Sequence, residues 1–195
     1  MPRNFYTRIL RPTLALVAFV FMAGPLLPED LSDWGKQLPA KQRFVVLSDF
    51  NDRAVLDKET QLVWERFPGD VNGDGLLEDS DDVSADKAAF FCVNKNVGGR
   101  KGWRLPAVNE LASLLDPSNA PSLPPGHPFV FCTGRCKLGL LVFWTNTIPK
   151  GAPTFRWLVD FSNSAFHEGD IVVVPADFLA KAWCVRAPIA GPDSY

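Results

Sequence analysis

The chain has 195 residues, 47% of them hydrophobic, with six tryptophans and a net charge of −2. That is enough for one domain with a proper core, and too apolar for a disordered chain. Arg3, Arg8 and Arg11 precede any acidic residue, so the rest carries −5 with no basic stripe, which argues against nucleic acid as a partner.

Residues 1–27 have the layout of a secretory signal, with a basic start and an apolar run from Leu14 to Leu27 interrupted by Gly24 and Pro25. Phe21-Met22-Ala23 is a poor cleavage site, so an uncleaved signal anchor stays open, and only that would bring the chain to a membrane. Either way the expected location is outside the cytoplasm: periplasm, cell surface or medium. Residues 28–43 read as a linker, residues 44–187 as the folded domain and residues 188–195 as a loose tail.

Phe44 to Leu47 predicts a strand, and Ala54–Asp57 with Gln61–Trp64 predicts a hairpin around Lys58-Glu59-Thr60. Next comes an acidic stretch. Counted from Asp70, oxygen-bearing side chains stand at positions 1, 3, 5, 9 and 12 (Asp70, Asn72, Asp74, Glu78 and Asp81), with Gly75 at position 6 and the Leu76 carbonyl at position 7. This is the spacing of a twelve-residue calcium loop. Six carboxylates lie between Asp70 and Asp82 with no Lys or Arg among them, and a divalent ion would relieve their repulsion. The opening Gly-Asp-Val-Asn-Gly-Asp-Gly and the position-12 Asp resemble the calcium loop of dockerin repeats, although only one such loop is present. The bland alternative is a solvated acidic loop. The expected role of Ca²⁺ is structural, pinning an insertion on the domain.

Asp82 to Val93 predicts a helix with Val83, Phe90 and Phe91 on its buried side. Gly98-Gly99-Arg100-Lys101-Gly102 lacks the flanking strand and Ser/Thr of a phosphate loop and reads as a turn. The stretch from Gly102 to Leu111 then predicts a loop end and a helix begun by Pro106, with Val108, Leu111, Leu114 and Leu115 on one face and a stop at Asp116-Pro117. The later Trp-bearing strands are expected to pack around it. Pro117 to Lys137 reads as a long loop. Strands follow at Leu140–Thr145, at Phe155–Phe161 with Phe155, Trp157, Val159 and Phe161 on one buried face, at Ile171–Val174, and at Ala182–Arg186.

The four cysteines are Cys92, Cys132, Cys136 and Cys184. In an exported chain an even count implies disulfides, with three connectivities open, whereas zinc would want closer pairing or nearby His. The expected bridges are Cys92–Cys184, from first helix to last strand, and Cys132–Cys136, stapling the long loop.

Five motifs recur in a fixed order: Thr60-Gln61-Leu62-Val63-Trp64, Gly102-Trp103-Arg104-Leu105-Pro106 with Asn109-Glu110-Leu111, Phe143-Trp144-Thr145-Asn146-Thr147, Trp157-Leu158-Val159-Asp160-Phe161, and Trp183-Cys184-Val185-Arg186. Together they resemble the Lcl C-terminal domain-like family, over roughly residues 44–187. The resemblance implies an α+β, C-type-lectin-like fold of two helices, a twisted antiparallel sheet and long loops. Some members are surface adhesins that bind sulfated polysaccharides. The family usually has Gly where Gln61 stands, the acidic loop looks inserted, and no Glu-Pro-Asn or Gln-Pro-Asp sugar triad is present.

No nucleophile motif or activated acid–base pair is recognisable. Trp103, Trp144, Trp157 and Trp183 read as core more than as sugar platforms, and Arg104 is expected to pair with Glu110. Asp160, Glu168 and Asp170 read as solvated surface. The expected function is an exported, non-catalytic recognition module, with a polysaccharide or a surface protein as ligand. The alternative is an enzyme of the formylglycine-generating type, which would need reactive cysteines.

Overall fold

The computed structural model describes residues 38–73, 77–119, 121–131, 141–164, 167–168 and 171–187. The expected signal segment, the expected tail and the expected Cys132–Cys136 bridge lie outside them. Among the described residues no helix is long and apolar enough to cross a membrane.

The architecture is α+β with antiparallel sheets. Strands β1 (Phe44–Val46), β2 (Ala54–Asp57), β3 (Val63–Glu65) and β9 (Val185–Arg186) form one sheet in the order β1-β2-β3-β9. Strands β4 (Val142–Trp144), β5 (Phe155–Asp160) and β8 (Ile171–Pro175) form a second, and β6 (Asn163–Ser164) with β7 (His167–Glu168) a short ribbon. The expected single sheet is therefore divided. Helices are α1 (Ala40–Arg43), α2 (Ala85–Asn94) and α3 (Val108–Ala112).

The predicted hairpin forms with Val55 opposite Trp64 and Leu56 opposite Val63. Its turn forces Gln61 to φ 60°, the left-handed region that glycine enters freely. Gln61 holds it by donating from Nε2 to the Lys58 carbonyl at 2.7 Å.

Two apolar clusters fill the interior. The first centres on Trp183, whose ring lies 4.9–5.6 Å from those of Trp64, Phe129, Phe131, Phe143 and Phe161. Its indole Nε1 donates to the Glu65 carbonyl at 2.9 Å. The second gathers Phe50, Trp103, Trp144, Leu158 and the Cys92–Cys184 disulfide. The stretch Gly102–Leu111 joins them. Arg104 exchanges backbone hydrogen bonds with Val185, Trp103 and Leu105 enter the second cluster, and Leu111 enters the first. The hub is thus Trp183 on the last segment, and α3 adds Leu111 to the cluster around it.

Several expectations need correction. The linker expected over 28–43 ends earlier: the compact unit starts at Leu38, and α1 buries Ala40 and Arg43. Helix α2 buries Ala85, Ala88 and Cys92, while Phe90 is 73% exposed. The disulfide at Cys92 sets the inward face, and Phe90, two residues earlier, is rotated about 200° from it. Helix α3 begins after Ala107, beyond Pro106, and stops at Ala112, with Leu114 carried in by a tighter turn to Leu111. Leu158 and Val159 point to opposite faces of β5 and are both buried, Leu158 in the second cluster and Val159 in the first, while Phe155 lies at the strand's exposed end. The one-sided alternation expected there fails because the two apolar clusters cover opposite faces of the strand's second half.

Candidate metal centre

The acidic loop leaves β3 through a turn at Gly69. Gly69 has φ 91°, and a Cβ there would meet Leu77 Cδ1 at 2.3 Å. Leu77 is buried in the first cluster and anchors the returning limb. Between these points the chain closes on itself through carboxylates. Asp70 Oδ1 accepts the Gly73 N–H at 2.7 Å. Asp81 is fully buried, and its Oδ1 accepts the N–H groups of Val71 and Asn72 at 3.0 and 3.2 Å. Its Oδ2 accepts the Glu78 N–H at 3.0 Å.

The loop ends are thereby tied together, and Asp70, Asn72 and Glu78 stand on the same closed turn as Asp81. Asp74 and Leu76, the other expected ligands, lie outside the described residues. A carboxylate offers about four acceptor sites, so three backbone donors leave Asp81 roughly one for a cation. Position 12 therefore acts first as a strut. Among the described residues no group of three or more His, Cys, Asp or Glu is gathered in metal-binding geometry.

Charge relief also comes from residues distant in sequence. Lys181 Nζ meets Asp82 Oδ1 at 2.5 Å, with the lysine side chain 3% exposed. Burial raises the Asp82 carboxyl above its ordinary value; Lys181 works against that shift, and Asp79 and Asp81 add to it. Glu65, at the end of β3, pairs with Lys95. Burial pushes the Glu65 carboxyl up, Lys95 draws it back, and Asp70 adds a smaller upward push. No local signal in the acidic stretch pointed to Lys181 or Lys95.

The remaining candidate residues serve the fold. Arg104 and Glu110 form two parallel hydrogen bonds of 2.7 Å, as expected. Glu110 Oε2 also accepts the Ala107 N–H at 2.7 Å, so the pair fixes the start of α3. The Arg104 hydrogen bonds hold the Glu110 carboxyl below its ordinary value. Trp103, Trp144 and Trp183 are buried and offer no face to a ligand, while Trp157 is half-buried. Asp160, expected on solvated surface, is 4% exposed and accepts the Ser162 N–H at 2.7 Å. It caps the end of β5 before the chain turns. The side chains of Glu168 and Asp170 lie outside the described residues. Cys92 and Cys184 are bridged and fully buried, so neither presents a thiol.

The model of the Lcl C-terminal domain matches residues 53–186. The chain belongs to this family. No curated protein and no solved structure matches it. Within this Lcl C-terminal domain the matched span contains the acidic loop, the disulfide and the Trp183 hub. Strand β1 and the buried Arg43 lie before it.

Proposed function

We propose that this Lcl C-terminal domain is an exported, non-catalytic recognition module of C-type-lectin-like fold. Its dockerin-like loop takes Ca²⁺ as a structural ion, and its ligand is a polysaccharide or a surface protein. The observation that carries the calcium reading is Asp81 drawing residues 71–72 and 78 together. That closure sets Asp70, Asn72 and Glu78 on one turn, where the oxygens of Asp74 and Leu76 would complete a hard-cation shell. A disulfide between two buried cysteines favours an oxidising compartment. The Arg104–Glu110 and Asp82–Lys181 pairs are each satisfied within the fold, which supports binding over catalysis. Membrane contact enters only through an uncleaved N-terminal anchor.

A glycan and glycosaminoglycan array, read with calcium and with chelator, tests the module. Calorimetric titration with Ca²⁺ tests the loop. At free calcium about 100 times the dissociation constant, the melting curve should gain about 2.7 kcal/mol of stability. No heat and an unchanged midpoint would end the calcium reading. An array without any hit would leave a protein ligand as the remaining form of the module.

A further inference from the structure

Strand β8 is an open edge of the second sheet, whose order is β4-β5-β8. Its neighbour shows which of its backbone groups point outward. Trp157 of β5 serves the β4 side: its N–H donates to the Thr147 carbonyl at 3.3 Å, and its carbonyl accepts the Thr145 N–H at 3.1 Å. Trp157 stands opposite Val173, and Val159 opposite Ile171. In an antiparallel pair, the residue opposite one that bonds away from the shared ladder also turns its own groups away. The N–H and C=O of Ile171 and Val173 therefore face outward, and among the described residues none meets them.

Folded proteins guard such an edge with a Lys, an inward charge, a bulge or a covering loop. Residues 171–174 are Ile-Val-Val-Val, without a charge, and Pro175 stands only at the end of the strand. Ile171 and Val173 are 42% and 40% exposed, beside Phe155 and Trp157 on the same face. Val172 and Val174 lie on the other face, half-buried against the second cluster. A strand added here must be apolar on both faces and free of charge, and β8 itself meets both conditions.

We propose that β8 is a self-association edge, at which two copies of the chain pair their β8 strands antiparallel about a two-fold axis at Val172. Ile171 of one copy stands opposite Val173 of the other, so the four outward backbone groups of each copy all find partners. The same register sets exposed Ile171 against exposed Val173, and no like charges meet along 171–173. The contact is isologous and closes at two copies. Five residues of strand edge cover less than the roughly 1,200 Å² at which specific interfaces become stable, so the dimer is weak and reversible. Neither calcium nor a ligand enters it.

Sedimentation equilibrium of the full chain, from about 10 µM to about 1 mM, tests this together with cross-linking. A monomer–dimer equilibrium is expected. Val173→Lys puts a charge on the edge, and Val173→Pro removes an outward N–H that no ladder bond within the chain uses. Each should weaken association by about tenfold or more and leave the melting midpoint of the dilute protein near the parent's. Val172→Cys, at the axis, should cross-link two copies under mild oxidation, because facing residues of a non-hydrogen-bonded pair bring their Cβ atoms close to disulfide distance. Val174→Cys, equally half-buried, should not. The proposal is overturned if the parent stays monomeric at the highest concentration, if folded Val173→Lys and Val173→Pro both associate like the parent, or if Val172→Cys cross-links no faster than Val174→Cys. Association through any other surface would leave all these variants like the parent and so counts against it.

Discussion

The guanidinium of Arg43 clasps the carboxylate of Asp57 through hydrogen bonds of 2.9 and 2.7 Å, both side chains almost wholly buried. Arg43 also donates to the Ser113 carbonyl at 2.9 Å, joining α1, the β2 hairpin and the end of α3. Removing one partner of such a pair strands a buried charge, at a cost of about 3–5 kcal/mol. Arg43→Ala should lose that much in urea unfolding, and a chain begun at Phe44 should be less stable than one begun at Leu38 by a similar margin. Equal stability of the two chains would mean that the pair is not needed.

The Cys92–Cys184 bridge spans 92 residues and ties α2 to the segment bearing Trp183. Closing a loop of that length stabilises by about 4–5 kcal/mol in the chain-entropy model. The Cys92→Ala/Cys184→Ala double variant should lose a large part of it. Because both sulfurs are buried, reductant should act on the native protein only at the rate of its opening. Rapid labelling of both thiols under native reducing conditions would contradict this.

Local pattern revealed the hairpin, the turn at Gly98 and the bridge between first helix and last strand. Each depends on residues whose chemistry is explicit in a short window: β-branched runs, paired glycines, an isolated Cys in an otherwise apolar strand. Charge partners were legible only when close. Arg104 and Glu110 are six residues apart, but Lys181 is 99 residues from Asp82, and nothing near either announces the other. The same limit hid Arg43. A short polar segment before the first strand reads as linker until its partner Asp57 is brought beside it. Phe90 shows the converse failure, because hydrophobicity alone does not set a helix's inward face when a disulfide two residues away does.

Gly98 and Gly99 fill the tight turn in which Val97 and Arg100 exchange backbone hydrogen bonds of 3.1 Å. Both have positive φ, 59° and 83°, yet their surroundings differ. A Cβ on Gly98 would stand 2.3 Å from the Phe50 carbonyl oxygen, whereas one on Gly99 meets nothing within 4 Å. Gly99→Ala should cost about 1–2 kcal/mol, from backbone strain alone. Gly98→Ala adds a backbone clash and should cost about 2–4 kcal/mol. Thermal melting of the two variants checks the order.

His127 stacks on Phe129, ring centroids 5.8 Å apart, and burial pushes its pKa below the ordinary 6.5. Below 6.5 the unfolded chain takes up a proton that the folded chain resists, so this contribution is present above that pH and fades as pH falls. Glu65 and Asp82, with raised carboxyl values, act in the opposite sense from 4.5 and 3.8 upward. The comparison must therefore be between variant and parent. His127→Phe should flatten the decline of the urea midpoint between neutral and mildly acidic pH. A slope identical to the parent's would show that His127 titrates as if exposed.

Asp70 and Asp81 are both expected calcium ligands, but their roles without an ion differ. Asp81 is fully buried and receives three backbone N–H groups, from Val71, Asn72 and Glu78. Asp70 receives the Gly73 N–H, on an exposed part of the loop. Removing an acceptor that serves several donors leaves them to find water in a closed turn, so Asp81→Ala should cost about 2–4 kcal/mol in chelator. Asp81→Asn should recover only part, since its amide nitrogen accepts nothing. Asp70→Ala should cost no more than about 1 kcal/mol in chelator, reduced repulsion among the six carboxylates offsetting part of the lost hydrogen bond. If the loop takes calcium, both variants lose the ion's added stability, and only Asp81→Ala is also weakened without it. Melting curves of parent and variants, each with calcium and with chelator, separate strut from ligand. Equal stability of Asp70→Ala and Asp81→Ala in chelator would show that the buried carboxylate does not hold the loop.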